Sequence, residues 1–163
     1  MNITICGHRR AAELLEEAPN QLDVIFISSP GSKFNVRNSE KIPELARECC
    51  EILYDDISFP RGNMEPPRRE HVQKALDFAK GRDNLIVACQ MGVSRSSATA
   101  YLIKASIFGA NEALDLLNPH VHNPNSLVIA HGANILGMPE MIQIIEVWKS
   151  KSEEAQWEGP FHV

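Results

Sequence analysis

The chain has 163 residues, 44% of them apolar and 23% charged, with a net charge of −5 and a pI near 5.7. That length suffices for a well-formed core, and the composition excludes a disordered, collagen-like or low-complexity chain. An acidic balance without a basic stripe gives no reason to expect a nucleic-acid partner, and no apolar run reaches membrane-spanning length.

Along the chain, residues 2–6 and 23–29 read as strands, separated by a helix over 9–17 that ends before Pro19. Residues 30–33 form a turn, and Ser39 is expected to cap a helix running through Arg47 with Pro43 in its first turns. A third strand is expected over 50–54. Pro66-Pro67 opens a helix over 68–80, whose apolar positions Val72, Ala75, Leu76 and Ala79 recur at helical spacing until Gly81 ends it. The strand 84–89 follows, then a helix to about residue 108 and shorter helices over 111–117, 125–136 and 139–151. The tail, 152–163, is polar with isolated aromatics (Trp157, Phe161) and reads as a packed-down extension or a frayed end. Strands alternating with helices predict an α/β three-layer sandwich, a mainly parallel central sheet flanked by helices. Ligands of such sheets bind at the carboxyl ends of the strands.

The first ten residues lack the charged and apolar regions of a secretory leader. The four cysteines, Cys6, Cys49, Cys50 and Cys89, form neither a disulfide framework nor a paired metal-ligand spacing. The expectation is a reduced, cytoplasmic protein.

The chemistry concentrates in Cys89-Gln90-Met91-Gly92-Val93-Ser94-Arg95-Ser96. The apolar run Leu85-Ile86-Val87-Ala88 precedes it as a buried strand, and Ser97-Ala98-Thr99-Ala100-Tyr101-Leu102-Ile103 follows as a helix. Strand, tight loop and helix N-terminus build a phosphate cradle, because successive backbone N–H groups point inward and the helix dipole favours negative charge. The same field favours a thiolate at Cys89. A thiolate there could attack phosphorus, and Arg95 could hold two phosphoryl oxygens bidentately. Gly92 allows close backbone approach, and Ser96 could hydrogen-bond the sulfur as it departs. The amides of Gln90, Met91, Gly92, Val93 and Ser94 complete the binding surface with Arg95. The bland alternative is a buried structural cysteine beside a surface arginine.

This octet resembles the signature loop of cysteine-dependent protein tyrosine phosphatases: cysteine, five residues, arginine, then serine or threonine. The Gly-Val-Ser-Arg-Ser wording, with Ala and Tyr-Leu downstream, is most similar to the dual-specificity type. The resemblance covers roughly residues 50–137, including the Pro124-Asn125 turn, within a single phosphatase-like domain over 1–163. It implies a phosphoric monoester hydrolase with a phosphocysteine intermediate and no cofactor. The implied substrates are phosphotyrosine and phosphoserine or phosphothreonine, on a phosphorylated protein or a small aryl phosphate.

The resemblance also implies an aspartate, some thirty residues before the cysteine, that protonates the leaving oxygen and then activates water. Asp56 lies 33 residues ahead of Cys89 and matches best, with Asp55 as the alternate and Glu65, Glu70 and His71 behind them. A solvated acidic turn is the bland reading of the Asp-Asp pair. One departure stands out: these phosphatases usually place histidine before the cysteine, and here it is Ala88. A phosphate-binding module without turnover is therefore the alternative function. Sulfurtransferase and arsenate-reductase loops differ in spacing or in the position of the cysteine along the chain.

His120, His122 and His131 read as polar loop histidines rather than metal ligands, since no familiar ligand set is completed. Arg61, Arg68 and Arg69 either rim the entrance for an anion or form a solvated face. The segment Asn35-Val36-Arg37-Asn38-Ser39 only faintly resembles the phosphotyrosine loop of the tyrosine-specific branch. No lysine or arginine occupies the variable loop positions Gln90, Met91, Val93 and Ser94, which argues against polyphosphorylated inositides.

Overall fold

A computed structural model describes residues 1–32, 36 and 38–157. Lys33, Asn35, Arg37 and Phe161, which figured in the sequence reading, lie outside the described residues. Four strands, β1 (Asn2–Gly7), β2 (Asp23–Ser28), β3 (Glu48–Leu53) and β4 (Asn84–Cys89), form one parallel sheet in the order β1-β4-β2-β3. The helices are α1 (His8–Glu17), α2 (Ile42–Leu45), α3 (Arg69–Ala79), α4 (Arg95–Phe108), α5 (Ser126–Leu136) and α6 (Glu140–Trp157).

Strand composition follows position in the sheet. Every residue of β2 is buried, as an interior strand requires, whereas the edge strands β1 and β3 carry Asn2, Thr4, Glu48 and Glu51 on partly open faces. Side chains alternate across the sheet. Val24, Phe26, Ile86 and Ala88 pack against Ala11, Ala12 and Leu15 of α1 and Ile42 of α2. Ile25, Ile27, Val87 and Cys89 face the larger core formed with α3, α4, α5 and α6. This is the three-layer α/β sandwich the sequence predicts.

On α3 the buried residues are Val72, Ala75, Leu76 and Ala79, the stripe read from spacing, and Gly81 beyond its end takes φ +72°. Helix α4 is buried nearly all round. It sits so close to α5 that a Cβ at Gly132 would lie 2.3 Å from Leu102 Cδ1.

Three expectations change. Ser39 opens a 3₁₀ turn (Ser39–Lys41) instead of capping a long helix, because its Oγ donates to the Val36 carbonyl at 2.6 Å. The following helix stops at Leu45, and Arg47 is drawn away from it. The Arg47 N–H donates to the Leu22 carbonyl, and its guanidinium meets the fully buried Asp23 at 2.9 and 2.5 Å. Arg82 Nη1 reaches the same carboxylate at 2.9 Å, and the Arg47 hydrogen bond chiefly holds the Asp23 carboxyl below the usual range. Residues expected as a helix over 111–117 form a 3₁₀ run, Glu112–Leu116. The last helix extends beyond Lys151 to Trp157, well past its expected end.

Candidate active site

A parallel sheet brings the carboxyl ends of all its strands to one edge. Ser29 follows β2, Tyr54, Asp55 and Asp56 follow β3, and Gln90 follows β4. These segments line a cleft of about 410 Å³ with Ser29, Asp56, Met64, Cys89, Gln90, Met91, Val93, Ser94 and Arg95 on its walls. A second groove, of about 370 Å³, lies between the 3₁₀ run and α6. It is lined by Leu114, Ile144, Val147 and Trp148 among others, and no cysteine, serine or threonine is among its lining residues.

The loop from Cys89 to Ser94 is held from outside by the β1–α1 junction. The His8 N–H donates to the Gln90 carbonyl at 3.4 Å. Gly92 takes φ +76°, and a Cβ there would lie 2.5 Å from Cys6 C and Gly7 N, so neither the angle nor the space admits a side chain. Ser97 Oγ donates back to the Val93 carbonyl at 2.5 Å and the Ser94 carbonyl at 3.0 Å, fastening the loop to the first turn of α4.

Cys89 is 2% exposed, and its Sγ lies 3.1 Å from the Oγ of fully buried Ser96. Arg95 is also buried. Its Nη1 donates to the Tyr54 carbonyl at 2.9 Å and to Ser29 Oγ at 3.3 Å. Those bonds anchor one end of the guanidinium at the ends of β2 and β3. Its Nε, buried as well, has no hydrogen-bond partner among the described residues.

The paired aspartates diverge. Asp55 closes its own loop: its N–H donates to the Glu65 carbonyl, and its Oδ2 accepts from the Glu65 N–H, both at 2.7 Å. Asp56 instead turns into the cleft, where its Oδ1 accepts from Ser94 Oγ at 2.7 Å and from Asn125 Nδ2 at 2.9 Å. Glu65 pairs with Arg68 at 2.8 Å, and His71 stacks on Tyr54 with its Nδ1 accepting from the Arg68 N–H. Glu70 lies outside the cleft walls, on α3.

Arg61, Arg68 and Arg69 are not among the cleft residues, and Arg69 donates to Asn134 Oδ1 at 2.6 Å. His122 Nδ1 accepts from the Asn118 N–H, the His120 N–H donates to Asn118 Oδ1, and His131 Nε2, on α5, bonds the Pro67 carbonyl. Ser29, Met64 and Asn125 reach the site by long-range folding. Of these, only Asn125 left a local trace, as the polar residue after Pro124 that caps an apolar helix.

Ala88, where the resemblance leads one to expect histidine, faces away from Cys89 onto the α1 side of the sheet. An imidazole is nevertheless nearby. His8 is 2% exposed, packs in a tilted arrangement against Phe26 (the pairing partner of Ala88) with ring centroids 4.3 Å apart, and bonds the Ile27 carbonyl through Nε2 at 2.9 Å. Burial lowers its pKa from 6.5 to about 4; the Ile27 hydrogen bond opposes the shift and the Arg95 charge adds to it. The neutral ring therefore donates from Nε2.

Because the folded value lies below the unfolded one, the native state resists taking up this proton. Stability from neutral His8 is complete above pH 6.5 and is lost as pH falls toward 4, by up to about 3 kcal/mol. Urea midpoints should drop across that window, and His8→Gln should reduce the slope. An identical slope in both proteins would assign the acid sensitivity to other groups.

No protein-family model matches the sequence, and neither does any curated protein. Solved structures do match. PTPMT1 in complex with PI(5)P superposes with a TM-score of 0.52 at 10% identity, covering 95% of this chain and 94% of that one. PTPMT1 in a second crystal structure gives 0.50 at 12% identity, covering 97% and 96%. A mouse protein described as a dual specificity phosphatase, complexed with zinc tungstate, gives 0.54 at 18% identity, covering 85% and 84%. Over nearly its whole length, then, the chain has the fold of the dual-specificity-type phosphatases.

Proposed function

We propose that the chain is a single phosphatase-like domain that hydrolyses phosphoric monoesters through a phosphocysteine intermediate. The observation that carries this reading is the buried guanidinium of Arg95, fixed by Tyr54 and Ser29 with its Nε unmatched, in the same cleft as Cys89. A buried cationic donor without a partner costs stability unless an anion completes it.

In the first step the Cys89 thiolate attacks phosphorus in line with the ester oxygen. As the P–O bond breaks, Asp56 gives its proton to the leaving oxygen. Arg95 holds two equatorial oxygens through Nε–H and Nη2–H, and the amides of Gln90 to Ser94 hold the charge that develops. In the second step Asp56 takes a proton from water, the water oxygen bonds to phosphorus, and the S–P bond breaks. The Ser96 hydroxyl donates to the departing sulfur, and inorganic phosphate leaves. Thiolate, arginine, hydroxyl and carboxylate around one cleft favour turnover over a binding module.

Among the described residues, Arg95 is the one cation on the cleft walls, while Met64, Met91 and Val93 are apolar. One phosphate on an apolar or aromatic alcohol suits such a cleft, so phosphotyrosine is the leading substrate, with phosphoserine and phosphothreonine behind it. The phosphoinositide and the tungstate with which two of the similar structures are complexed are oxyanion-bearing ligands, in keeping with this chemistry.

The test is an acid quench during p-nitrophenyl phosphate turnover, followed by mass analysis of the peptide carrying Cys89. A phosphate adduct on that cysteine is expected. Steady turnover with an unmodified Cys89 peptide would sink the mechanism, and anion binding without turnover would favour the binding module.

A further inference from the structure

We propose that Asn125 is a positioning residue that clamps the acid-bearing loop onto the signature loop and so aims Asp56 at the leaving group. The proposal rests on the phosphatase reading for its catalytic consequence, but the clamp itself is read from geometry. Asn125 is 4% exposed. Its Oδ1 accepts from the N–H groups of Leu127 and Val128 at 3.0 and 3.1 Å, capping α5. Its Nδ2 donates to Asp56 Oδ1 at 2.9 Å and to the Ile57 carbonyl at 3.2 Å. Its backbone N–H donates to the Ser94 carbonyl at 3.3 Å. An amide side chain offers two donors and one carbonyl oxygen with two lone pairs, and here all four are engaged.

Three elements thus meet in one residue: the start of α5, the loop carrying Asp56, and the signature loop. A neighbouring bond runs parallel, from the Asn123 N–H to the Val93 carbonyl at 3.0 Å. Helix capping alone needs only an oxygen, which serine or aspartate supplies equally well. The feature that asks for asparagine is the N–H pair directed at Asp56 and Ile57.

The arrangement also assigns a role to each carboxylate oxygen. Asp56 Oδ1 is filled by Ser94 Oγ and Asn125 Nδ2. The proton that passes to the leaving group therefore belongs on Oδ2. Because Ser94 is itself a signature-loop residue, the acid is held by the same loop that holds the phosphate. A displacement of about 1 Å at such a group is enough to matter to rate.

Asn125→Ser and Asn125→Asp test this, since both keep a capping oxygen and neither presents an amide donor. Exchange protection of the first turn of α5 should stay near wild type, while the backbone amides of the loop from Ile57 to Met64 exchange faster. Activity on p-nitrophenyl phosphate, whose leaving group needs little protonation, should change by less than about threefold. Activity on phenyl phosphate should fall roughly 10- to 10²-fold, part of the usual contribution of general acid catalysis. In an Asp56→Asn background the same substitutions should cost nothing further.

Unchanged exchange in the loop overturns the clamp, whatever the enzyme does. Faster exchange with equal losses on both esters, or losses that persist without Asp56, would overturn the positioning role. Absence of turnover in the wild type, with the loop loosened in the variants, would count against the phosphatase reading and leave the clamp standing.

Discussion

Cys89→Ser is expected to lose hydrolysis of p-nitrophenyl phosphate by at least about 10⁴-fold while still binding oxyanions. In the proposed mechanism the Cys89 sulfur is the attacking atom, and a serine hydroxyl in its place is a far weaker nucleophile that, among the described residues, has no base hydrogen-bonded to it. The hydroxyl at 3.1 Å belongs to Ser96, which can donate to a thiolate but has no means of taking a proton at neutral pH. Binding survives because it comes from other atoms, the loop amides and Arg95. The substitution is nearly isosteric at a site that is 2% exposed, so the fold should tolerate it. Thermal melting with and without vanadate checks both halves. The variant should be stabilised by the anion as the wild type is, with hydrolysis at background. Hydrolysis within tenfold of wild type would move the nucleophile elsewhere, and Cys6 is a poor substitute. Burial, then the neighbouring Cys89 charge, push that thiol up to about 12.

What the sequence could reveal depended on whether a feature is local. The bounds of β4 (Asn84–Cys89) and the buried stripe of α3 follow from runs and periods within a dozen residues, and both appear as read. The signature loop is local too, because strand, glycine and helix start are contiguous. Strand order is not. Nothing near Asp23 announces that β2 will lie between β4 and β3, or that Arg47 and Arg82 will converge on its carboxylate. The same limit applies to Asp55 and Asp56. Adjacent carboxylates in an acidic turn are equivalent on paper. Their difference comes from Glu65, which turns one of them into a loop closure, and from Asn125, 69 positions away from the other. Ser39 failed as a helix cap for a related reason: its hydroxyl had a nearer carbonyl to satisfy, and Arg47 had a buried carboxylate to reach.

Arg95→Lys should reduce kcat/KM by roughly 10³-fold, in the range of losing more than one preorganised donor at a reacting oxyanion. In the proposed mechanism Arg95 has two jobs that a lysine cannot combine. One end of the guanidinium is spent on the Tyr54 carbonyl and Ser29 Oγ, and this fixes the orientation of the other. The plane then presents Nε–H and Nη2–H side by side, the fork that matches two phosphoryl oxygens. A lysine ammonium placed to satisfy Tyr54 has no second edge to offer. Moved toward the anion, it leaves a buried carbonyl unpaired at a cost of about 1–3 kcal/mol.

The variant should therefore lose affinity and rate together, and anion-dependent stabilisation is the sharper measurement. Stabilisation grows as RT ln(1 + [L]/Kd), so at a vanadate concentration 100 times the wild-type Kd it amounts to about 2.7 kcal/mol. A 100-fold weaker Kd would cut that to about 0.4 kcal/mol at the same concentration. A lysine variant that keeps the full vanadate shift but turns over slowly would mean that Arg95 serves the transition state alone. One that keeps both would remove Arg95 from the chemistry, and its unmatched Nε would then no longer point to an anion.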